Sequence, residues 1–278
     1  MLPVKYVFIT GCSTGIGYEV AHDLHSRDDF HVIASCRQLV DVERLQQEGL
    51  TCLHLDLTSQ ESIDNAVSQL SKITDGQLYG LFNNGAYGQT GALEDLPTQA
   101  LREQFETNFF SWHELTRQIL PLMRTQGEGR IIQNSSVLGF AAMKYRGAYN
   151  ASKFALEGWT DTLRLELRET NIHISLLEPG PIETQFRANA LIAFKKWITV
   201  EGSHHEERYL RQINRLSQKK SEKHFTLPAS SCVAPVIHAL TANRPKIRYK
   251  VTVPTLVFGV LKRLLPTRLL DRILHSAA

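Results

Sequence analysis

The stretch VKYVFITGCSTGIG at residues 4–17 decides the fold, because it joins an apolar β-branched run to a glycine-rich turn. Residues 18–27 continue with a helical pattern, so the sequence predicts strand, turn and helix in succession. Glycines permit positive φ and let a backbone approach a phosphate, while a helix N-terminus favours its negative charge. Glycines also end strands without binding anything. In this context we predict a dinucleotide-phosphate turn made of Gly11, Ser13, Thr14, Gly15, Ile16 and Gly17.

Beyond this unit, short apolar runs alternate with longer helical patterns. Strands are predicted near 4–9, 31–35, 51–55, 78–82, 130–134, 172–177 and 247–251. Helices are predicted near 15–27, 41–48, 59–73, 98–125, 148–169, 184–218 and 229–241. The alternation predicts an α/β fold of the Rossmann type, a doubly wound parallel sheet of about seven strands with helices on both faces and a C-terminal helical elaboration. Without a repeat or linker, we expect one domain over 1–278.

Composition excludes several classes of protein. The chain has 278 residues, 42% hydrophobic and 21% charged, which is ordinary globular usage and excludes wholesale disorder. A net charge of +3 is too small to predict a nucleic-acid partner. The four cysteines lack metal-ligand spacing, so we expect reduced thiols and no metal. With no secretory or membrane-spanning segment recognised, we expect a cytoplasmic protein.

Polar residues follow the predicted strands where a dinucleotide fold binds the adenosine. Arg37 follows strand two, where an acid would accept hydrogen bonds from a ribose 2′-hydroxyl and an arginine would accommodate a 2′-phosphate. The sequence therefore favours NADP (NADPH), although Arg37 is also readable as a surface arginine. Asp56 follows strand three and can accept from adenine or cap the helix near 59. Asn83, with Asn84, follows strand four and can hold neighbouring backbone carbonyls.

A candidate catalytic set lies in the second half of the chain. Tyr149 and Lys153 are four residues apart, hence on one helix face, and an ammonium lowers the pKa of a nearby phenol. Ser136 ends strand five and can hold a carbonyl oxygen, with Ser135 as the alternative. Asn108 is a polar residue within a helical pattern, which predicts that its side chain points inward. There we expect it to orient a carbonyl group that holds a water next to Lys153.

These residues together resemble the classical short-chain dehydrogenase/reductase family. The resemblance rests on TGCSTGIG at 10–17, LDLT at 55–58, NN at 83–84, Asn108, Ser136, YNASK at 149–153 and PGPIET at 179–184. It implies a catalytic Ser136–Tyr149–Lys153 set supported by Asn108, with Lys153 also holding the nicotinamide ribose. It places Asp56 near adenine and Asn83 near the adenosine. Around the nicotinamide it implies Pro179, Gly180, Ile182 and Thr184. Gly85-Ala86 departs from the family's usual NNAG.

The phrase TNIHISLLEPGPIET and the C-terminal segment further resemble the aldehyde-reductase, retinol- and 17β-hydroxysteroid-dehydrogenase-like branch. Together with Arg37, this resemblance implies an NADP(H)-dependent enzyme that interconverts an alcohol and an aldehyde or ketone on a lipophilic substrate, mainly as a reductase, and a homo-oligomer. The alternative is a non-catalytic NADP-sensing regulatory or scaffold protein. The intact Ser136, Tyr149 and Lys153 argue against that alternative.

Two segments fall outside the family motifs. Residues 185–225 form a variable substrate or lid segment, readable as a solvated helix pair or a mobile lid, with a polar run at 201–208 and a basic run at 218–223. Residues 254–275 carry a helical apolar stripe interleaved with basic residues. The stripe can pack on the core or a second subunit, border the pocket, or contact an anionic membrane. We favour packing that also borders the pocket over membrane contact.

Overall fold

The computed structural model describes residues 4–217 and 225–277, so the predicted basic run at 218–223 lies outside the described residues. The strands are β1 (Lys5–Ile9), β2 (Phe30–Cys36), β3 (Thr51–His54), β4 (Gly80–Asn83), β5 (Gly129–Asn134), β6 (Ile172–Glu178), β7 (Ile182–Glu183), β8 (Leu227–Pro228) and β9 (Arg248–Lys250). The helices are α1 (Gly15–His25), α2 (Leu39–Gln47), α3 (Gln60–Ile73), α4 (Thr98–Phe105), α5 (Ser111–Gln126), α6 (Gly147–Glu166), α7 (Phe186–Trp197), α8 (Glu206–Ser217), α9 (Val233–Thr241), α10 (Val253–Leu264) and α11 (Thr267–Ala277).

Seven strands pair in parallel in the order β3-β2-β1-β4-β5-β6-β9. This confirms the predicted doubly wound sheet. The order reverses direction between β1 and β4, which opens a crevice at the carboxyl ends of those strands. β7 and β8 form a separate two-stranded pair, which the sequence did not predict because two residues show no periodicity.

Both faces of the sheet are buried, because successive strand side chains point in opposite directions. In β1, Val7 and Ile9 join a cluster with α1 and α9, whereas Phe8 joins a cluster with α3, α5 and α6. Val7, Phe8 and Ile9 are all fully buried. The apolar run in residues 4–9 is therefore explained by helices on both faces.

Two predicted helices are interrupted. The helix predicted over 184–218 is divided into α7 and α8, and Gly202 with φ +76° lies in the connection, a conformation that a helix interior does not accept. The helix predicted over 98–125 is divided into α4 and α5 by a π-helical turn, Glu106–Phe110. The pair α7 and α8 packs around buried Phe194 and Tyr209, so this part of the variable segment is a packed helix pair.

The C-terminal segment forms α10 and α11, as predicted, but its apolar stripe does not border the cavity described below. Leu256, Val257, Val260 and Leu264 are exposed on α10, and none of them lines that cavity. The favoured interpretation of the stripe as a pocket wall is therefore wrong. Within the two described ranges, no helix is long and apolar enough to cross a bilayer.

Candidate active site

A cavity of about 360 Å³ opens at the carboxyl ends of β1, β4, β5 and β6. Twelve of the seventeen predicted site residues line it: Gly11, Ser13, Thr14, Gly15, Ile16, Ser136, Tyr149, Lys153, Pro179, Gly180, Ile182 and Thr184. The lining does not include Gly17, Arg37, Asp56, Asn83 or Asn108. The fold thus gathers the glycine turn, the candidate catalytic set and residues 179–184 around one space.

The glycine turn is too crowded for larger residues. A Cβ on Gly11 would lie 2.6 Å from the Gly85 Cα, and one on Gly17 would lie 2.4 Å from the Gly11 carbonyl oxygen. Gly15 adopts φ +66° and packs against Thr184, where a Cβ would lie 2.9 Å from the threonine methyl. The first turn of α1 begins here without a side-chain cap from Thr14. Free helix N–H groups beside an open glycine backbone fit the phosphates of a dinucleotide.

Asn84 holds the two halves of the sheet together at the crevice. Its Nδ2 donates to the carbonyl oxygens of Thr10 and Gly11, each at 3.0 Å, and its Oδ1 accepts from Asn134 at 2.8 Å. The predicted anchoring of backbone carbonyls by an asparagine pair is therefore made by Asn84. Asn83 is fully buried and donates to Thr116 at 3.1 Å, and its expected place near the adenosine stays a prediction.

The departure Gly85-Ala86 leaves the sheet regular. β4 pairs with β5 in register through Asn83 opposite Gln133. The Gly85 N–H donates to the Thr10 hydroxyl at 2.9 Å, and its carbonyl accepts from the Trp112 indole at 3.0 Å. A Cβ on Gly85 would lie 3.0 Å from the Leu57 side chain and 3.4 Å from the Gly11 nitrogen, so this position accepts only a small residue beside the glycine turn.

Tyr149 lies in the first turn of α6 with its side chain buried in the cavity wall. Burial raises the pKa of the phenol to about 12, while a hydrogen bond from Ser136 and the charge of Arg146 oppose that rise. The Ser136 hydroxyl also accepts from the Leu138 N–H at 3.1 Å. The Ser135 hydroxyl donates instead to the Glu157 carboxyl. Of the two serines, Ser136 is therefore the one aimed at Tyr149.

Lys153 lies one turn further along α6 and is fully buried. Its Nζ donates to the Asn134 carbonyl at 2.6 Å and lies 4.3 Å from the centre of the Trp112 ring. Burial lowers the pKa of the ammonium to about 7, while the charge of Glu157 raises it. The sequence predicted that Lys153 lowers the pKa of Tyr149. In this structure the charge of Arg146 lowers the pKa of Tyr149, which sequence reasoning missed, and the same effect of the Lys153 ammonium stays a prediction.

The side chain of Asn108 is buried, as the sequence predicted. It lies fully buried in the π-helical turn Glu106–Phe110, and π-bulges of this kind are frequent at functional sites. Its side chain accepts from the Tyr87 N–H at 3.2 Å and donates to the Tyr87 carbonyl at 2.8 Å. The carbonyl that contacts Lys153 belongs to Asn134, not to a group oriented by Asn108. The described contacts of Asn108 therefore position the loop after β4.

The two adenosine candidates lie on adjacent strands outside the cavity. Arg37 follows β2 with an exposed side chain. Asp56 follows β3, and its Oδ1 accepts from the Thr58 N–H at 2.9 Å and from the Thr58 hydroxyl at 2.8 Å. Ser59, not Asp56, caps α3, by accepting from the Ser62 N–H. Asp56 therefore does not cap α3, and its predicted hydrogen bond from adenine stays a prediction.

A crevice at the strand ends, a glycine turn that fits phosphates and a Ser–Tyr–Lys set define a nicotinamide-dependent oxidoreductase. The family model described as short chain dehydrogenase matches residues 5–192. The chain therefore belongs to the short-chain dehydrogenase family, whose members bind a nicotinamide cofactor.

Two relatives resemble nearly the whole chain. An uncharacterized oxidoreductase, YbbO, from Escherichia coli strain K12 is 43% identical over 98% of this chain and 94% of its own length. Retinol dehydrogenase 8 from Homo sapiens is 33% identical over 88% of this chain and 80% of its own length. These similarities confirm the predicted family and its retinol- and hydroxysteroid-dehydrogenase-like branch.

Solved structures confirm the fold. A short-chain dehydrogenase from Streptomyces avermitilis superposes with a TM-score of 0.77 over 94% of each chain, at 24% identity. Other solved structures of this fold hold NAD in one case and NADP in another. The fold by itself therefore does not decide between the two cofactors.

Proposed function

We propose that this protein is an NADP(H)-dependent reductase of aldehydes or ketones on lipophilic substrates. The observation that carries the proposal is the convergence of Ser136, Tyr149 and Lys153 on the wall of the cavity that the glycine turn also lines. The proposal extends to a cytoplasmic protein in which one domain spans the whole chain.

In this proposal Tyr149 is the proton donor. Its raised pKa keeps the phenol protonated at neutral pH, as a general acid requires. Ser136 holds the carbonyl oxygen of the substrate beside the Tyr149 hydroxyl and polarises it. When bound, the nicotinamide supplies a hydride. The lysine ammonium stabilises the phenolate that remains after proton transfer and holds the cofactor ribose.

The glycine turn and its neighbours would hold the cofactor. Gly11, Gly15 and the α1 N–H groups would bind its phosphates, and Thr184, which packs against Gly15, would close over them. Ile182, beside Pro179 and Gly180, would lie against the nicotinamide. Asp56 would accept a hydrogen bond from adenine, and the exposed Arg37 is free to turn toward a 2′-phosphate.

The remaining lining supports a lipophilic substrate. Leu138, Met143, Phe186 and Leu216 contribute apolar side chains to the cavity. The Phe186 ring packs edge-on against Tyr149, with ring centres 5.3 Å apart. An apolar wall beside the proton donor favours an alkyl or polycyclic carbonyl compound.

Exposed aromatic and apolar side chains support a homo-oligomer. Phe110 at the start of α5, and Phe154 and Leu165 on α6, are exposed in the single chain. Exposed apolar patches on monomers commonly mark an interface between proteins. We propose that these helices contact a second copy of the chain.

The proposed reaction is tested by following NADPH absorbance with the purified protein and a panel of aldehydes of increasing chain length. We expect aldehyde-dependent NADPH consumption, with higher kcat/KM for decanal than for propanal. If no aldehyde, retinoid or steroid ketone consumes NADPH above the rate of the Tyr149→Phe variant, the proposed activity is wrong.

The proposed cofactor preference is tested by Arg37→Asp. A carboxylate at this position repels a 2′-phosphate and accepts from a 2′-hydroxyl, so NADPH binding is expected to weaken by about 10–150-fold, the value of a charged hydrogen bond. Dissociation constants for NADPH and NADH are measured by fluorescence titration. If the wild-type protein already binds NADH as tightly as NADPH, the NADP assignment is wrong.

A further inference from the structure

The cavity wall around Tyr149 contains several positively charged side chains. Arg146, Lys153, Arg187 and Arg215 line the cavity, and among its described lining residues there is no Asp or Glu. A neutral lipophilic substrate does not require such a charge. A buried guanidinium group that lacks a counterion costs free energy, which an arriving anion recovers.

Arg146 lies three residues before Tyr149, at the start of α6. Its Nη1 atom is buried and has no hydrogen-bond partner among the described residues. Burial lowers the pKa of this guanidinium to about 10, and repulsion from Arg215 and Arg187 adds to the effect. The charge of Arg146 also acts on the Tyr149 phenol, which places it beside the proton donor.

Arg215 reaches the same space from α8. Burial and the charge of Arg187 lower its pKa. Within residues 4–217 and 225–277, no ion pair with a carboxylate is found for Arg215. Arg211, one turn earlier on the same helix, is exposed and pairs with Glu207 at 3.7 Å. The contrast shows that α8 directs one arginine to solvent and another into the cavity.

We propose that Arg146 and Arg215 bind an anionic group of the substrate, so that the protein acts on amphiphilic carbonyl compounds carrying a carboxylate or a similar anion. This inference rests on the proposed function and narrows its substrate class. Met143, Phe186 and Leu216 would contact the apolar part of the molecule. Guanidinium groups suit this role because they stay charged and bind carboxylates with two parallel hydrogen bonds.

Binding is tested without turnover, by titrating decanoate into the NADPH-bound protein in a calorimeter. We expect decanoate to bind the wild-type protein and to bind Arg146→Gln and Arg215→Gln at least about tenfold more weakly, the loss expected for a charged hydrogen bond. Arg211→Gln is the matched control on α8 and is expected to bind decanoate like the wild type. Thermal melting checks that each variant is folded. If Arg146→Gln does not fold, Arg215→Gln carries the test.

Turnover gives a second readout. The ratio of kcat/KM for 10-oxodecanoate to that for its methyl ester is expected to exceed one in the wild type and to fall about tenfold in Arg215→Gln.

Unchanged decanoate binding together with weaker NADPH binding in both variants would assign the arginines to the cofactor and overturn the inference, while leaving the proposed function intact. Failure of decanoate to bind the wild-type protein would also overturn it. Arginine-dependent decanoate binding without any aldehyde reduction would support the anion site and contradict the proposed function.

Discussion

Replacing Tyr149 by Phe is expected to lower turnover by about 10²–10⁴-fold, the contribution of one general acid. The change removes a single hydroxyl group. The ring that remains keeps its edge-on contact with Phe186, so the cavity wall is retained. We therefore expect melting temperature and NADPH affinity to stay close to those of the wild type.

The measurement is kcat for the best aldehyde of the panel, with NADPH binding followed separately by fluorescence. Ser136→Ala serves as a companion variant, because it removes the hydroxyl that hydrogen-bonds Tyr149 and leaves the phenol in place. A Tyr149→Phe protein that keeps more than half of the wild-type turnover would show that the proton comes from another group.

Replacing Lys153 by Met is expected to lower turnover by at least about 100-fold, because the phenolate loses the cation that stabilises it. Met has a similar length, so packing against Trp112 is retained. The variant also loses the 2.6 Å hydrogen bond from Nζ to the Asn134 carbonyl. We expect NADPH to bind at least about tenfold more weakly, because the proposed contact with the cofactor ribose is lost as well. Unchanged NADPH affinity would leave Lys153 only its role toward Tyr149.

The pH dependence of the same lysine has a defined sign. A pKa of about 7 in the free protein means that Lys153 is an ammonium below pH 7 and increasingly neutral above it. Since the proposed reaction uses the ammonium, kcat/KM for NADPH, which reports groups of the free enzyme, should fall as pH rises through about 7. Lys153→Arg keeps its charge throughout this range and is expected to lose that decline. A wild-type profile that rises between pH 7 and 9 would contradict the assignment.

The parts of the candidate site made by residues close together in the sequence were predictable from their spacing. Tyr149 and Lys153 share a helix face because they are four residues apart, and the glycine turn follows β1 directly. The roles of neighbouring residues were harder to predict. Asn83 and Asn84 are adjacent and chemically identical, yet one is buried against Thr116 and the other ties β1 to β5, which depends on contacts with strands far away in the sequence.

Charge effects also required the tertiary structure. Spacing alone brought Lys153 near Tyr149 and predicted that its ammonium lowers the phenol pKa. Burial reverses that outcome, because desolvation raises the pKa of the tyrosine and lowers that of the lysine. Arg146 carries a further charge that lowers the Tyr149 pKa, and its partner in the proposed anion site, Arg215, lies about seventy residues away on α8. Sequence patterns carry no signal for such a pair, since both arginines read as ordinary surface residues.

By itself the sequence determined the parallel sheet of seven strands, the glycine turn and the Ser136, Tyr149 and Lys153 set, because hydrophobic periodicity and short motifs act over a few residues. Only the tertiary structure decided which helix faces stay exposed, which asparagine joins the two halves of the sheet and which arginines face the substrate. Burial and long-range charge set those outcomes, and both depend on segments that meet only when the chain is folded. The apolar stripe of α10 is an example, because its pattern predicted a buried face and its position in the fold left that face exposed in the single chain.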